Sequence, residues 1–309
     1  MKTDTSAMNS ATAALASDRP GQPVAYRNGM DPVLKRRLVA AVKHVLLIAV
    51  GFVMVFPLLW MVSSSLKDDA NIFRNISLIP SDWDWANYSE GWNAQAYPFS
   101  RYLLNSAVIT VASIVGNILT CSLAAYGFTR LKWRGQGLAF GYMLMTLMMP
   151  IYVMIIPQYI IWSKLVFLNT FVPLVLPKFL ATEPFLTFMM VQFFRGIPKS
   201  LDEAAKVDGA GPFRIYAQII MPNVLPSLAT TGIFSFIWTW NDFFTQLLYL
   251  TKPQNLTVAV ALRNFADATS GTNWGPLFAM STISLIPVFI VFLFGQRFLI
   301  EGSATTGLK

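Results

Sequence analysis

Charged residues are scarce in this chain. Of its 309 residues only 12% are Asp, Glu, Lys or Arg, about half the share that usually covers a soluble domain, and that shortage excludes a water-facing globule. Cysteine and histidine are nearly absent. Cys121 and His44 are the single instances, which rules out an intrachain disulfide, a thiolate metal cluster and any two-histidine metal motif. There is no G-x(4)-G-K-[ST], whose glycine-rich turn would cradle the phosphates of ATP, and no H-E-x-x-H or nucleophile elbow. No catalytic residue, metal ligand or cofactor is therefore expected.

What is present is apolar: 55% of the residues are hydrophobic. Uncharged stretches run over 45–66, 102–129, 135–163, 215–241 and 268–296. Each meets the roughly 20 residues that a helix needs to cross a ~30 Å hydrocarbon core, and none alternates as a barrel strand would. A sixth stretch, 172–194, is interrupted by Lys178 and Glu183 but has helical length when its flanks are joined. The fold class expected is all-α, a polytopic membrane protein with six transmembrane helices. The first stretch is too long for a signal-peptide core and no A-x-A-like cleavage site follows it, so it reads as a retained helix.

Direction follows from the loops. With the N-terminus inside, the inner segments hold 16 of the 23 Lys and Arg residues and the outer segments 6, with Lys178 in a span. An excess of this sign marks cytoplasmic loops beside anionic lipid rather than a nucleic-acid interface. The organisation expected is a mobile cytoplasmic tail over 1–37, a transmembrane domain over 38–300 with a cytoplasmic loop at 195–226, and a cytoplasmic tail over 301–309. The first outer loop carries Asp68, Asp69, Asp82, Asp84 and Glu90 among Trp83, Trp85, Tyr88 and Trp92, a mixture suited to an interfacial lid or to aromatic anchoring at the headgroups.

The inner loop between the fourth and fifth stretches is too polar for the membrane and too patterned for a passive linker. Ser200 and Glu203 have the S-x-x-E spacing of a capping box, and Ala204, Ala205 and Lys206 are good helix formers, so a short helix should start near Leu201. Gly209 should close it in the left-handed conformation, and Gly211-Pro212 suits the start of a second helix. The result is a knob in which small Ala204, Ala205 and Ala210 admit another protein's backbone while Glu203 and Asp208 offer charge to partner arginines.

These residues resemble the cytoplasmic signature of the permease subunits of binding-protein-dependent ABC importers: E-A-A, three residues, G, nine residues, I, one residue, L-P. Glu203, Ala204, Ala205, Gly209, Ile219 and Pro222 match, with Met221 in place of Leu. Pro157-Gln158-Tyr159, Asn169-Thr170, Gln192-Phe193-Phe194, Ile197-Pro198, Trp240-Asn241 and Gln296-Arg297 with Gly302 extend the resemblance toward the maltose-type carbohydrate subgroup. The resemblance implies a type I ABC importer fold in a bacterial-type cytoplasmic membrane. It implies ATPase coupling through Glu203, Ala204, Ala205, Asp208, Gly209, Ala210 and Pro222. The implied partners are a second permease subunit in a heterodimer, two ATP-binding subunits, an extracytoplasmic solute-binding protein and a sugar.

Intramembrane charge is costly, about 2.5 to 3.5 kcal/mol at a helix centre on insertion scales, so Glu183, Lys178 and Asp242 should face protein or water. Glu183 should lie near mid-membrane and Asp242 near the outer interface. Lys178 and Glu183, five apart, fall on different faces of a continuous helix and should not pair with each other. A carboxylate beside aromatic surface suits sugar hydroxyls, which makes Glu183 and the cluster Trp238, Trp240, Asn241 and Asp242 candidate pathway residues, although packing and interfacial anchoring suit the tryptophans better. The methionines around Pro150 and Pro157 suit a repacking gate or plain helix packing. A rival reading, an ion-coupled secondary transporter relaying protons through Glu183 or Asp242, leaves the knob unexplained.

Overall fold

A computed structural model describes residues 32–266 and 272–304, and all regular structure among them is helical. The bulk of the expected N-terminal tail, the first residues of the sixth stretch and the last five residues lie outside the described residues. The chain divides at Pro57 into two compact units. Helix α1 (Pro32–Ser64) runs past that division and, near its start, through Lys35, Arg36 and Arg37, so the expected tail boundary at 37 falls inside a helix. No described side chain from Val33 to Val55 is buried, as befits an apolar helix whose surroundings are lipid or another chain.

The second unit is organised around α4 (Phe99–Thr129). Before it come α2 (Asp69–Ile72) and α3 (Ala86–Asn93), and after it α5 (Gln136–Thr146), α6 (Ile151–Lys164), α7 (Pro184–Gly196) and α8 (Ser200–Val207). The chain ends with α9 (Leu225–Asn241), α10 (Phe244–Tyr249), α11 (Val258–Phe265) and α12 (Trp274–Ala304). Helix α4 packs against α9 and α7, and α9 packs against α12. Ser106, Thr110, Ser113 and Asn117 recur at helical spacing on α4 and are buried, giving a seam of small or short polar residues that lets neighbouring backbones approach. Asn117 Nδ2 donates to Ser235 Oγ of α9 at 2.8 Å, and Val258 N–H donates to Ser106 Oγ at 2.9 Å.

Among the described residues, four helical stretches are long and apolar enough to cross a membrane, and two further crossings arise if each of two bent pairs counts as one. The expected third span is α5 and α6, bent by 102°, because Pro150 at the start of α6 lacks the N–H a continuous helix needs. The expected fifth span is α9 and the segment Pro212–Asn223, bent by 79°. There a π-turn over Tyr216–Ile220 precedes Pro222, and Pro226 opens the next helix. The expected fourth span is also interrupted. Val172–Val175 and a 3-10 turn, Leu176–Leu180, end at Ala181 with φ +54°, and α7 restarts at Pro184.

The first outer loop folds onto the last helix. Helix α3 packs against α12, and the Asp69 carboxylate accepts the N–H groups of Trp274 and Gly275, capping α12 from more than 200 residues away. Lys67 is buried and donates to the carbonyls of Asn75 at 2.9 Å and Ser77 at 2.6 Å. Burial lowers its pKa from the ordinary lysine value. Trp83 and Trp85 stack with planes 18° apart and stay exposed, whereas Trp92 packs on Phe99.

Candidate functional site

The knob forms, but its first turn differs from expectation. Lys199 occupies the N-cap position with helical dihedrals, Ser200 lies inside α8, and no side chain caps the helix. The capping box is therefore absent, because Ser200 would need the extended N-cap conformation to reach the N–H three residues on. The Glu203 side chain is exposed and makes no hydrogen bond or ion pair among the described residues. Its neighbour Asp202 is buried instead and pairs with Arg130, Nη1 to Oδ2 3.2 Å. Both acids complement the positive end of the helix.

The other end follows the expected chemistry. Gly209 has φ +79°. Its N–H donates to the Lys206 carbonyl at 3.0 Å while Ala210 N–H donates to the Ala205 carbonyl at 2.9 Å, the paired bonds of a Schellman closure. Gly211 then caps Pro212–Ile215 with extended dihedrals. Ala204 is exposed but Ala205 is buried and Ala210 packs against the same inner cluster. Ala205 thus faces its own protein, not a partner, because it shares a helical face with Asp202, three residues before it. The outward surface is Glu203, Ala204, Val207 at 88% exposure, Asp208 and, from the second arm, Phe213 at 75%. Two large apolar side chains thus stand out beside two carboxylates. Pro222 is exposed eleven residues past Gly211, at the far end of the arm.

The second candidate region is a cavity of about 910 Å³ between α4, α5, α6, α9, α10, the first residue of α7 and the interrupted segment before it. Glu183, Asn241 and Asp242 line it; Trp240 does not. Trp240 is buried on the opposite side, stacked on Phe236, with Nε1–H donating to the Ser284 carbonyl at 3.3 Å. Trp238, two residues earlier, contributes the indole that lines the cavity, and its ring meets Phe185 edge-on at 5.5 Å.

Lys178 and Glu183 form an ion pair, contrary to the expectation from their spacing. The left-handed Ala181 folds the chain back between them, so helical periodicity no longer applies. The fold-back is stapled to α4: Thr120 Oγ1 donates to the Lys178 carbonyl at 2.9 Å, and Gly116 lets the Phe179 ring lie against the helix. The Asp242 carboxylate accepts Thr245 N–H at 3.1 Å. The cavity wall thus presents one neutralised pair, one further carboxylate, the amides of Asn117, Gln158, Asn241 and Gln246, and the rings of Tyr142, Trp238 and Tyr249.

Arg130 and Asp202 were not among the expected site residues. In sequence Arg130 is one of the basic residues of the inner segments, and Asp202 stands beside the more conspicuous Glu203. The available signal was helical spacing, which places Asp202 with inward-facing Ala205.

Residues 116–301, which include both regions, match the family model described as "Binding-protein-dependent transport system inner membrane component". Among characterised or catalogued relatives, the chain is 34% identical to the probable ABC transporter permease protein YurM of Bacillus subtilis over 82% of this chain and 83% of that one. It is 30% identical to the diacetylchitobiose uptake system permease protein NgcG of Streptomyces coelicolor over 88% and 89%. Among solved structures, a bacterial ABC transporter involved in the import of the acidic polysaccharide alginate aligns with TM-score 0.75 at 22% identity, over 87% of this chain and 98% of that one, which is a likeness of fold.

Proposed function

The chain belongs to the family of binding-protein-dependent transport system inner membrane components, a multi-pass permease, and from that premise we propose that it is the translocation subunit of an ATP-driven carbohydrate importer. Its partners are a second permease, two ATP-binding subunits and an extracytoplasmic solute-binding protein. The observation that carries the reading is the knob: a short helix closed by a left-handed glycine, presenting exposed Val207 and Phe213 beside Glu203 and Asp208. Large apolar side chains rimmed by charge suit a groove in another protein, and the chain holds no phosphate-binding loop of its own. ATPase closure displaces the knob, the helices rock, and the cavity changes side.

The substrate reading rests on the cavity. Amide and hydroxyl groups beside Trp238 and Tyr142 suit a polyhydroxylated ring, and a relative handles diacetylchitobiose. The test is reconstitution with the ATPase, the second permease and the binding protein, measuring uptake of labelled diacetylchitobiose and maltose. ATP-dependent uptake of a sugar supports the reading; uptake driven by an imposed proton gradient without ATP overturns it.

Glu183→Gln is expected to preserve ATP dependence and to change uptake by about threefold or less, the scale of a partly exposed ion pair worth under about 1 kcal/mol. The amide still accepts from Lys178 but carries no proton in turnover. Loss of all uptake, with ATP binding intact, would point to a proton relay instead.

Both termini are proposed to be cytoplasmic, with Lys132, Glu203 and Lys309 inside and Asp84 and Asn264 outside, on the strength of the 16 to 6 basic asymmetry. Single cysteines placed at these positions in a Cys121→Ser background, treated with a membrane-impermeant maleimide, check it. Labelling of residue 203 from outside intact cells reverses the topology.

A further inference from the structure

The last turn of α4 grips both arms of the knob. Tyr126 and Arg130 are four residues apart and share one helical face. Tyr126 OH donates to the Pro212 carbonyl at 2.8 Å, at the start of the second arm. The Arg130 guanidinium reaches three acceptors on two elements: Nη1 pairs with Asp202 in the first turn of α8 at 3.2 Å, while Nη2 donates to the carbonyls of Phe194 and Ile197 at 2.8 Å each. Those carbonyls lie at the C-terminus of α7, where unpaired acceptors and the negative end of the helix favour a cation. One side chain therefore joins the ends of two spans to the knob.

This junction is poorly explained as a stability device. The side chains of Arg130 and Asp202 are only 3% and 9% exposed, and Arg130 Nε and Asp202 Oδ1 have no partner among the described residues. A buried pair with unsatisfied atoms bears the desolvation cost of two charges without recovering it in full, and apolar residues of similar volume usually serve stability as well. What apolar packing does not supply is a planar fork bonded in fixed directions to three acceptors on two separate elements.

We propose that Arg130 and Asp202 are positioning residues for energy coupling: a strut that makes α8 move as one body with the ends of α4 and α7, so that displacement of the knob reaches the helices lining the cavity. The inference rests on the reading that α8 docks an ATPase, but it concerns what happens after docking. Neither residue belongs to the exposed docking surface, so the ATPase binds a strut-less subunit normally and hydrolyses ATP with little transport.

The test uses the complete reconstituted complex with two variants, Arg130→Lys and the apolar pair Arg130→Met with Asp202→Leu. Three quantities are read: capture of the ATPase by the permease, ATP hydrolysis with substrate-loaded binding protein, and sugar molecules taken up per ATP. Lysine keeps the buried charge but, as a point donor, cannot hold the three acceptors in the fork's geometry. Both variants are expected to retain the ATPase and to lower uptake per ATP by about fivefold or more, the usual lower scale of a coupling free energy. An unchanged ratio in Arg130→Lys overturns the proposal, whether or not the apolar pair accumulates in the membrane. Loss of ATPase capture in Arg130→Lys also overturns it, since the residues would then shape the docking face. Failure of the docking reading itself appears elsewhere, as normal capture and coupling in variants of Gly209 and Glu203.

Discussion

Gly209→Val is expected to abolish coupled transport while leaving the membrane helices inserted. Gly209 holds φ +79° with open space around the position of a Cβ, so the obstacle is conformational, not steric crowding by neighbours. A β-branched residue opposes the left-handed region by about 1 to 2 kcal/mol or more, enough to undo the paired bonds from Gly209 and Ala210 that end α8. Freed from that closure, Val207 and Phe213 lose their common outward presentation. Asparagine tolerates the left-handed region, so Gly209→Asn should retain most activity and Gly209→Ala should fall between. Glu203→Lys is expected to fail for a different reason, replacing attraction to a basic groove with repulsion. Because Glu203 closes no capping box, Glu203→Gln isolates the charge: any loss of substrate-stimulated ATP hydrolysis reports a contact outside this chain. Capture of the ATPase and stimulated hydrolysis, measured for all five variants, decide the matter; normal values in both Gly209→Val and Glu203→Lys would remove the docking role from α8.

The second large effect is expected at Gly116. A Cβ there would stand 2.8 and 2.9 Å from two atoms of the Phe179 ring and 3.1 Å from the Lys178 carbonyl carbon, closer than nonbonded carbons tolerate. Gly116→Ala should therefore push the fold-back away from α4 at a cost of about 1 to 3 kcal/mol, the range for overpacking a close contact. The fold-back carries Lys178, so its pair with Glu183 and the cavity wall should shift together, lowering the melting temperature in detergent and reducing uptake. Phe179→Ala removes the obstructing ring, and the double variant should recover much of the thermal loss. A Gly116→Ala subunit that melts and transports like the parent would show that the close approach has no bearing on the cavity.

Much of the knob was legible in sequence because its determinants are local. A left-handed glycine after a run of helix formers and a Gly-Pro start to the next arm act within a few residues, and both took the form expected. The first turn was not legible, since S-x-x-E records only that a capping box is sterically available. Whether Ser200 adopts the extended dihedrals of an N-cap depends on how α8 is held, and Asp202, drawn to Arg130 from 72 residues away, holds it with Ser200 already helical. The Lys178–Glu183 pair was missed for a related reason: five-residue spacing forbids pairing only on a continuous helix, and Ala181 ends that continuity. Trp240 and Trp238 could not be told apart by composition, because both lie in one aromatic run and only the packing of α9 against α12 decides which indole turns inward.

The amino-acid sequence by itself determined that this chain is helical and membrane-spanning, because length and apolarity are properties that no packing arrangement can alter. It also determined the asymmetry of basic charge and the outline of the knob. Tertiary structure alone decided which acid of the Asp202-Glu203 pair is buried and which is exposed, where three of the expected spans break, and which side chains share the cavity. Those outcomes turn on contacts between residues tens to hundreds of positions apart, whose energies depend on distances and directions that a linear pattern does not contain.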